Sequence, residues 1–147
     1  MTLVNENGLA ALVTMLREGR DYYAFAAEEV RDAETADAFR FAAKCKSEML
    51  DGLVAAHVIQ RRSLEHVVGP AAADEGYERL RKQMDPMHPE LQGPALYERE
   101  RRVVKLIESV FRTENALPIR RALKNGYPQA GQLARMTQRL AQRRAAA

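Results

Sequence analysis

GLAALVTMLREGRDYYAFAAEEV (residues 8–30) and TADAFRFAAKCKSEMLDGLVAAHVIQ (residues 35–60), separated by the four residues 31–34, decide the fold of this chain. In the first segment Leu9, Leu16, Tyr23 and Val30 fall seven apart, with Leu12, Gly19 and Ala26 three beyond the first three. That spacing keeps one apolar stripe on one helix face for about six turns. Gly19 lies in the stripe at a cost of about 1 kcal/mol of helix propensity relative to Ala, so a close approach by a neighbouring helix is expected there. Asn5 or Asn7 is expected to cap the first helix, and Asp32 or Thr35 the second, because a short side-chain oxygen satisfies an orphan amide. Acidic Glu34 and Asp37 suit the positive end of the second helix. Its stripe runs Phe39, Ala43, Leu50 and Leu53, followed by His57 and Leu64. Lys46 also falls on it, with its alkyl stem expected to pack while the ammonium reaches water. So short a link makes the two helices antiparallel neighbours.

The expectation for the whole chain is one all-α domain over residues 1–147. It comprises a helical hairpin over 8–66, a crossover over 69–93 and a second helical pair over 94–144. Val67-Val68-Gly69-Pro70 is a helix-stop pattern. A short helix is expected over Asp74–Met84, and DPMHPELQGP (residues 85–94) is irregular. A connection this long implies a crossover along a bundle. Pro94 opens the third long helix, which runs to about Asn115 with Leu96, Val103, Ile107, Val110 and Phe111 inward. Glu98, Glu100, Arg101, Arg102 and Glu108 are expected to be mostly outside. The fourth helix is expected to be broken: Pro118 starts a piece ending at Lys124, Asn125-Gly126 stops it, and Pro128 restarts it with Leu133, Met136 and Leu140 inward.

The chain's 147 residues suffice to bury about two-thirds of the unfolded surface. The single cysteine, Cys45, excludes an internal disulfide and suits a reducing compartment. No basic-then-apolar leader pattern is present, and the early uncharged run 7–16 is far short of the roughly 20 residues that span a bilayer. A cytoplasmic location without membrane association is therefore expected. The net charge of +3 is unevenly spread. Residues 1–68 carry 8 basic and 11 acidic side chains, and residues 69–114 carry 8 and 9. Residues 115–147 carry 7 basic and none acidic.

The run LREGRDYYAFAAEEVRDAETADAFRFAAKCKSEML (residues 16–50) resembles the ferritin-like superfamily, the four-helix bundle of rubrerythrin and bacterioferritin. Within that superfamily it resembles a small bacterial group known only as a domain of unknown function. The likeness lies in the Leu-basic-acidic-Gly start, Tyr22 four residues past Glu18, the Ala pair ahead of Val30, and Phe41 before Ala42-Ala43. YERERRVVKLIESVFRTENALP (residues 97–118) is a weaker echo. The resemblance implies a ferritin-like bundle with one long crossover, and self-association into a homo-oligomer.

Bundles that carry paired iron or manganese ions use a Glu on each of two helices and Glu-x-x-His on each of the other two. Residues three apart share a helix face, which lets both reach one metal pair. Here Val54, Ser63 and Asp85 stand three before His57, His66 and His88. Glu48-Met-Leu-Asp51 is similar to the family's position with Asp in place of His. The family's first-helix ligand falls at Met15, with Glu18 one turn later. No carboxylate follows Glu114 and no histidine follows His88, so a standard two-metal site cannot be assembled within one chain. Glu18, Glu48 and Asp51 are the candidate ligands of a residual or inter-subunit site for iron or manganese, which would make the chain an oxidoreductase. Otherwise no cofactor is expected, and Glu18, Glu48, Asp51 and Glu108 are solvated or salt-bridged.

Two further features bear chemistry. His57 lies on or beside the stripe and reads as a hydrogen-bonded boundary residue more than a ligand or base. Cys45, between Lys44 and Lys46, would be reactive if their charges lowered its thiol pKa, although small buried cysteines are common. Phosphate loops, Gly-x-Ser-x-Gly elbows, paired-cysteine zinc spacings and dinucleotide fingerprints are all missing from the sequence, which argues against the common enzyme classes. Arg135, Arg139 and Arg143 recur every four residues, opposite Leu133, Met136 and Leu140. Such a row can track nucleic-acid phosphates or meet an acidic protein partner. It can equally be a solvated face favoured by the helix dipole, with the acidic first half of the bundle as its counterpart. No aromatic residue interleaves it after Tyr127, which disfavours base stacking. The expectation is a non-catalytic binding or structural bundle.

Overall fold

The computed structural model describes the backbone of residues 2–59 and 75–146, and the side chains of residues 8–56 and 76–143. Among the described residues the chain is helical throughout: α1 (Thr2–Glu29), α2 (Ala33–Ile59), α3 (Glu75–Lys82), a 3-10 turn (Pro89–Gln92), α4 (Gly93–Thr113) and α5 (Leu117–Ala146). No described helix is long and apolar enough to cross a membrane. The stop pattern at 67–70, His66 and the His57 side chain lie outside the described residues.

Packing closes a ring in the order α1, α2, α5, α4, so that α2 and α4 face each other across the bundle. Both stripes of the hairpin are inward as their spacing requires: Leu9, Leu12, Leu16, Tyr23, Ala26 and Val30 are buried on α1, and Phe39, Leu50 and Leu53 on α2. Tyr23 of α1 reaches Glu100 near the start of α4, and Arg143 near the end of α5 reaches Thr35 at the start of α2. The directions are therefore up, down, down, up. Because α2 and α4 run the same way, the chain must travel back along the bundle between them. Its described part, α3 with the 3-10 turn, packs on α1, α4 and α5. The Arg31 amide donates to the Pro86 carbonyl at 3.0 Å, which ties the hairpin link to this return path.

The ends of the helices correct one expectation and decide another. α1 begins at Thr2, upstream of Asn5 and Asn7, so neither is its cap. At α2 the cap is Asp32, whose Oδ2 accepts the Thr35 amide at 3.1 Å and the Thr35 hydroxyl.

The fourth helix is continuous, not broken. Ile119, Leu123, Gly126, Ala130, Leu133, Thr137 and Leu140 are all buried, and their alternating spacing of four and three is an unbroken seam that runs through Asn125-Gly126. Gly126 is a contact here rather than a stop: a Cβ on it would stand 3.2 Å from Met49 Cγ of α2. Pro128 is on the exposed face, where the backbone hydrogen bond it cannot make is least costly. Tertiary burial of the seam outweighs the local stop signal.

Among the described glycines the closest approach is at Gly93, where a Cβ would come within 2.5 Å of the Ala141 backbone nitrogen. At Gly52, by contrast, a Cβ would meet only the Ala122 Cβ at 3.9 Å. Urea denaturation should show Gly93→Ala destabilised by about 2 kcal/mol or more, because α5 must move. Gly52→Ala should gain up to about 1 kcal/mol from helix propensity. Equal effects would mean that α4 and α5 do not approach at Gly93.

Candidate functional site

The interior consists of two apolar clusters. One is built on Leu9–Leu16, Met49–Ala56, Val103–Val110 and Ile119–Ala130. The other is aromatic, with Tyr22, Tyr23, Phe39, Tyr77, Leu96 and Leu133. Between them lies a polar layer. Lys46 and Glu100 are both 0% exposed, and Lys46 Nζ donates to Glu100 Oε1 at 2.9 Å. Glu100 Oε2 accepts the Tyr23 hydroxyl at 2.5 Å. The ammonium also stands 5.9 Å from the Tyr23 ring centroid, within cation–π range. Three of the four long helices thus meet in one cluster.

Two expectations are corrected here. The Lys46 ammonium does not reach water, and Glu100 is not on the outside. Gly19 explains the first: a Cβ there would stand 2.8 Å from Lys46 Cε and 3.1 Å from the Tyr77 hydroxyl. The close approach at Gly19 is therefore by the lysine stem and Tyr77, not by a helix backbone. The second follows from register, since Leu96, Glu100, Val103 and Ile107 lie on one seam of α4 and all are buried. Both signals stood in the sequence as opposite charges on two apolar seams. Their pairing required knowing that α2 and α4 face each other.

Tyr22, one residue away, points to a different neighbour because adjacent helical residues are turned by about 100°. Its hydroxyl donates to Gln92 Oε1, and Gln92 Nε2 donates to the Leu80 carbonyl at 2.7 Å. Tyr22, Tyr23, Tyr77 and Phe39 form a linked set of rings with centroids 5.5–5.9 Å apart along the chain of contacts. Burial raises the hydroxyl pKa of Tyr22, and raises that of Tyr23 well above the ordinary value, where the Glu100 carboxylate adds to the effect. Both phenols are hydrogen-bond donors locked in the neutral form.

Glu18 is half-buried on α1, whereas Glu48 and Asp51 are exposed on α2. Glu48 accepts from Gln129 Nε2 at 2.9 Å. Glu108 is exposed and accepts the Tyr127 hydroxyl. Among the described residues no group of three or more His, Cys, Asp or Glu is arranged to hold a metal ion. Cys45 is buried, and its thiol pKa is pushed up by burial and by Glu48, against the lowering effect of Lys46 and Lys44. Cys45 is thus the small buried cysteine of the sequence reading, and the flanking lysines do not activate it. Arg135, Arg139 and Arg143 are exposed. Arg143 Nη1 donates to Thr35 Oγ1 at 3.2 Å, and its charge assists the Thr35 hydrogen bonds in holding the Asp32 carboxyl below its ordinary range. At that end of the row the counterpart is the acidic start of α2.

Surface grooves between helices among the described residues include two lined by α5. One, of about 720 Å³, is lined by Ile107, Phe111, Leu123 and Tyr127 between α4 and α5. The other, of about 540 Å³, runs between the start of α2 and the end of α5 past Phe39, Met136 and Leu140. Neither is lined by Lys46, Glu100 or Tyr23. Tyr23, Lys46 and Glu100 are each 0% exposed, so the polar layer is closed to solvent. No family model, curated protein or solved structure matches this chain, so the ferritin-like resemblance rests on the residues quoted above.

Removing one partner of a buried pair strands a charge in the core, while removing both does not. Lys46→Met alone or Glu100→Leu alone should cost about 3–5 kcal/mol in urea denaturation. The triple change Lys46→Met/Glu100→Leu/Tyr23→Phe, which also removes the hydroxyl left without an acceptor, should recover most of that loss. Additive losses in the triple variant would contradict the pairing.

The two phenols also make a pH prediction. A folded pKa above the unfolded value of 10.0 means that the stabilisation is complete below about pH 10 and is lost as pH rises beyond it. Phenolate absorbance should therefore show Tyr22 and Tyr23 silent until the alkaline unfolding transition, with Tyr→Phe variants assigning the signals. Ionisation of either near pH 10 in the folded protein would refute their burial.

Proposed function

We propose that the chain is a non-catalytic helical bundle of ferritin-like type, a binding or structural protein that self-associates. The observation that carries this reading is the content of the central layer. In metal-carrying bundles, inward carboxylates on facing helices converge on cations. Here the inward carboxylate of that layer, Glu100, has one oxygen on the Lys46 ammonium and the other on the Tyr23 hydroxyl. The lysine supplies from within the chain the positive charge that a cation would bring. The up-down-down-up order with one long return path supports the ferritin-like reading of the topology. The self-association rests on the resemblance.

A second reading is favoured by the exposure of Glu48 and Asp51, three apart on the outer face of α2. Such carboxylates are available only to a site completed by another chain, which would hold iron or manganese between subunits.

Incubation with Fe(II) or Mn(II), followed by size-exclusion chromatography with metal analysis across the protein peak, separates the two. The expected result is a peak larger than the 16.6 kDa monomer that carries less than about half an equivalent of metal per chain. Stoichiometric metal in that peak, lost in Glu48→Gln/Asp51→Asn, would replace the first reading with the second.

A further inference from the structure

The groove between α4 and α5 has a built-in polarity. Tyr127 faces Glu108 across it, and its hydroxyl donates to Glu108 Oε2, so that end keeps the carboxylate's negative charge and repels an anionic head. One helical turn along each wall, Arg112 of α4 and Lys124 of α5 flank the other end. Both are exposed, and neither has an ion-pair partner among the described residues. The surface between the two ends is apolar, formed by Ile107, Phe111 and Leu123. One end is thus cationic, the other carries the Glu108 carboxylate, and the floor is greasy.

Length decides what class of occupant this fits. The lining spans residues 107–112 on one wall and 123–128 on the other, about 7.5 Å of helix at 1.5 Å per residue. An amphipathic helix docking by anchors at i and i+7 needs about 10 Å of groove. The volume of about 720 Å³ lies within the range of small-molecule sites.

We propose that this groove binds a small amphiphilic carboxylate, with its anionic head between Arg112 and Lys124 and its apolar body on Ile107, Phe111 and Leu123 toward Tyr127. A guanidinium and an ammonium on opposite walls can share one carboxylate, the arginine through two parallel N–H bonds. The inference takes up the binding part of the reading above. It fails separately from it, because the metal and size measurement does not involve this groove.

The test is a titration of the full chain with octanoate, followed through the NMR signals of the Ile107 and Leu123 methyl groups, with octylamine and octanol as charge controls. Octanoate is expected to shift these methyls saturably, at least tenfold more tightly than octanol, and octylamine is expected to leave them in place. The surface variant Arg112→Ala/Lys124→Ala should weaken octanoate binding at least tenfold with thermal unfolding unchanged. A variant that closes the floor from the exposed rim, Tyr127→Trp, should also weaken binding while keeping the charge. Failure of octanoate to move the methyls would overturn the proposal. So would binding of octylamine as tight as octanoate, or octanoate binding indifferent to the double variant.

Discussion

Lys46 and Glu100 belong to helices that stand across the bundle from each other, and their ion pair spans its interior between two apolar clusters. Apolar contact is tolerant of sliding, since one leucine can replace another against a seam. An ion pair shielded from water is not. A shift of one helical turn moves the partners by about 5.4 Å and leaves two bare charges in a medium that solvates them poorly. The pair therefore contributes less to net stability than to selecting one register of α4 against α2. Tyr23 extends the same constraint to α1.

The small and aromatic residues around the layer follow from that demand. Gly19 leaves the volume that the lysine stem fills, so the ammonium can lie flat against α1 and end at Glu100. Tyr23 satisfies the carboxylate oxygen that the lysine does not reach, and its ring faces the ammonium. Tyr22 repeats the arrangement outward, passing its hydroxyl to Gln92 and through it to the carbonyl of Leu80. In this way the return path is bonded to the hairpin through side chains as well as through the amide of Arg31. The link from α4 to α5 is held by similar means. Glu114 accepts the Ala116 amide at 3.0 Å, and Arg120 bonds the Phe111 carbonyl at 2.6 Å while stacking over its ring.

The polar side chains divide along the same line between inside and outside. The interior polar groups Tyr23, Lys46 and Glu100 are bonded to one another, and none of them lines either of the two grooves. The groups left for recognition are on the surface: the arginine row of α5, the outer acids of α2, and the groove bounded by Arg112 and Lys124. Of these the groove combines apolar surface with unpaired charge, the combination that binding of a small amphiphile requires.

Much of the fold was legible because helical periodicity is a local property. The seven-residue repeat of Leu9, Leu16, Tyr23 and Val30 and the short link to α2 determined the hairpin by themselves, and the long proline-rich stretch implied a return path. Exposure of Glu48, Asp51 and Arg135 likewise follows from which face of a helix each occupies. What no local rule reveals is which seams face each other. Asn125-Gly126 reads as a stop until α2 is seen to need a glycine opposite Met49, and burial of the seam then carries the helix through. Lys46 and Glu100 read as two surface charges until the ring order sets them opposite one another. Only the tertiary structure decided that they pair, because the energy of a charge in the core depends on a partner 54 residues away.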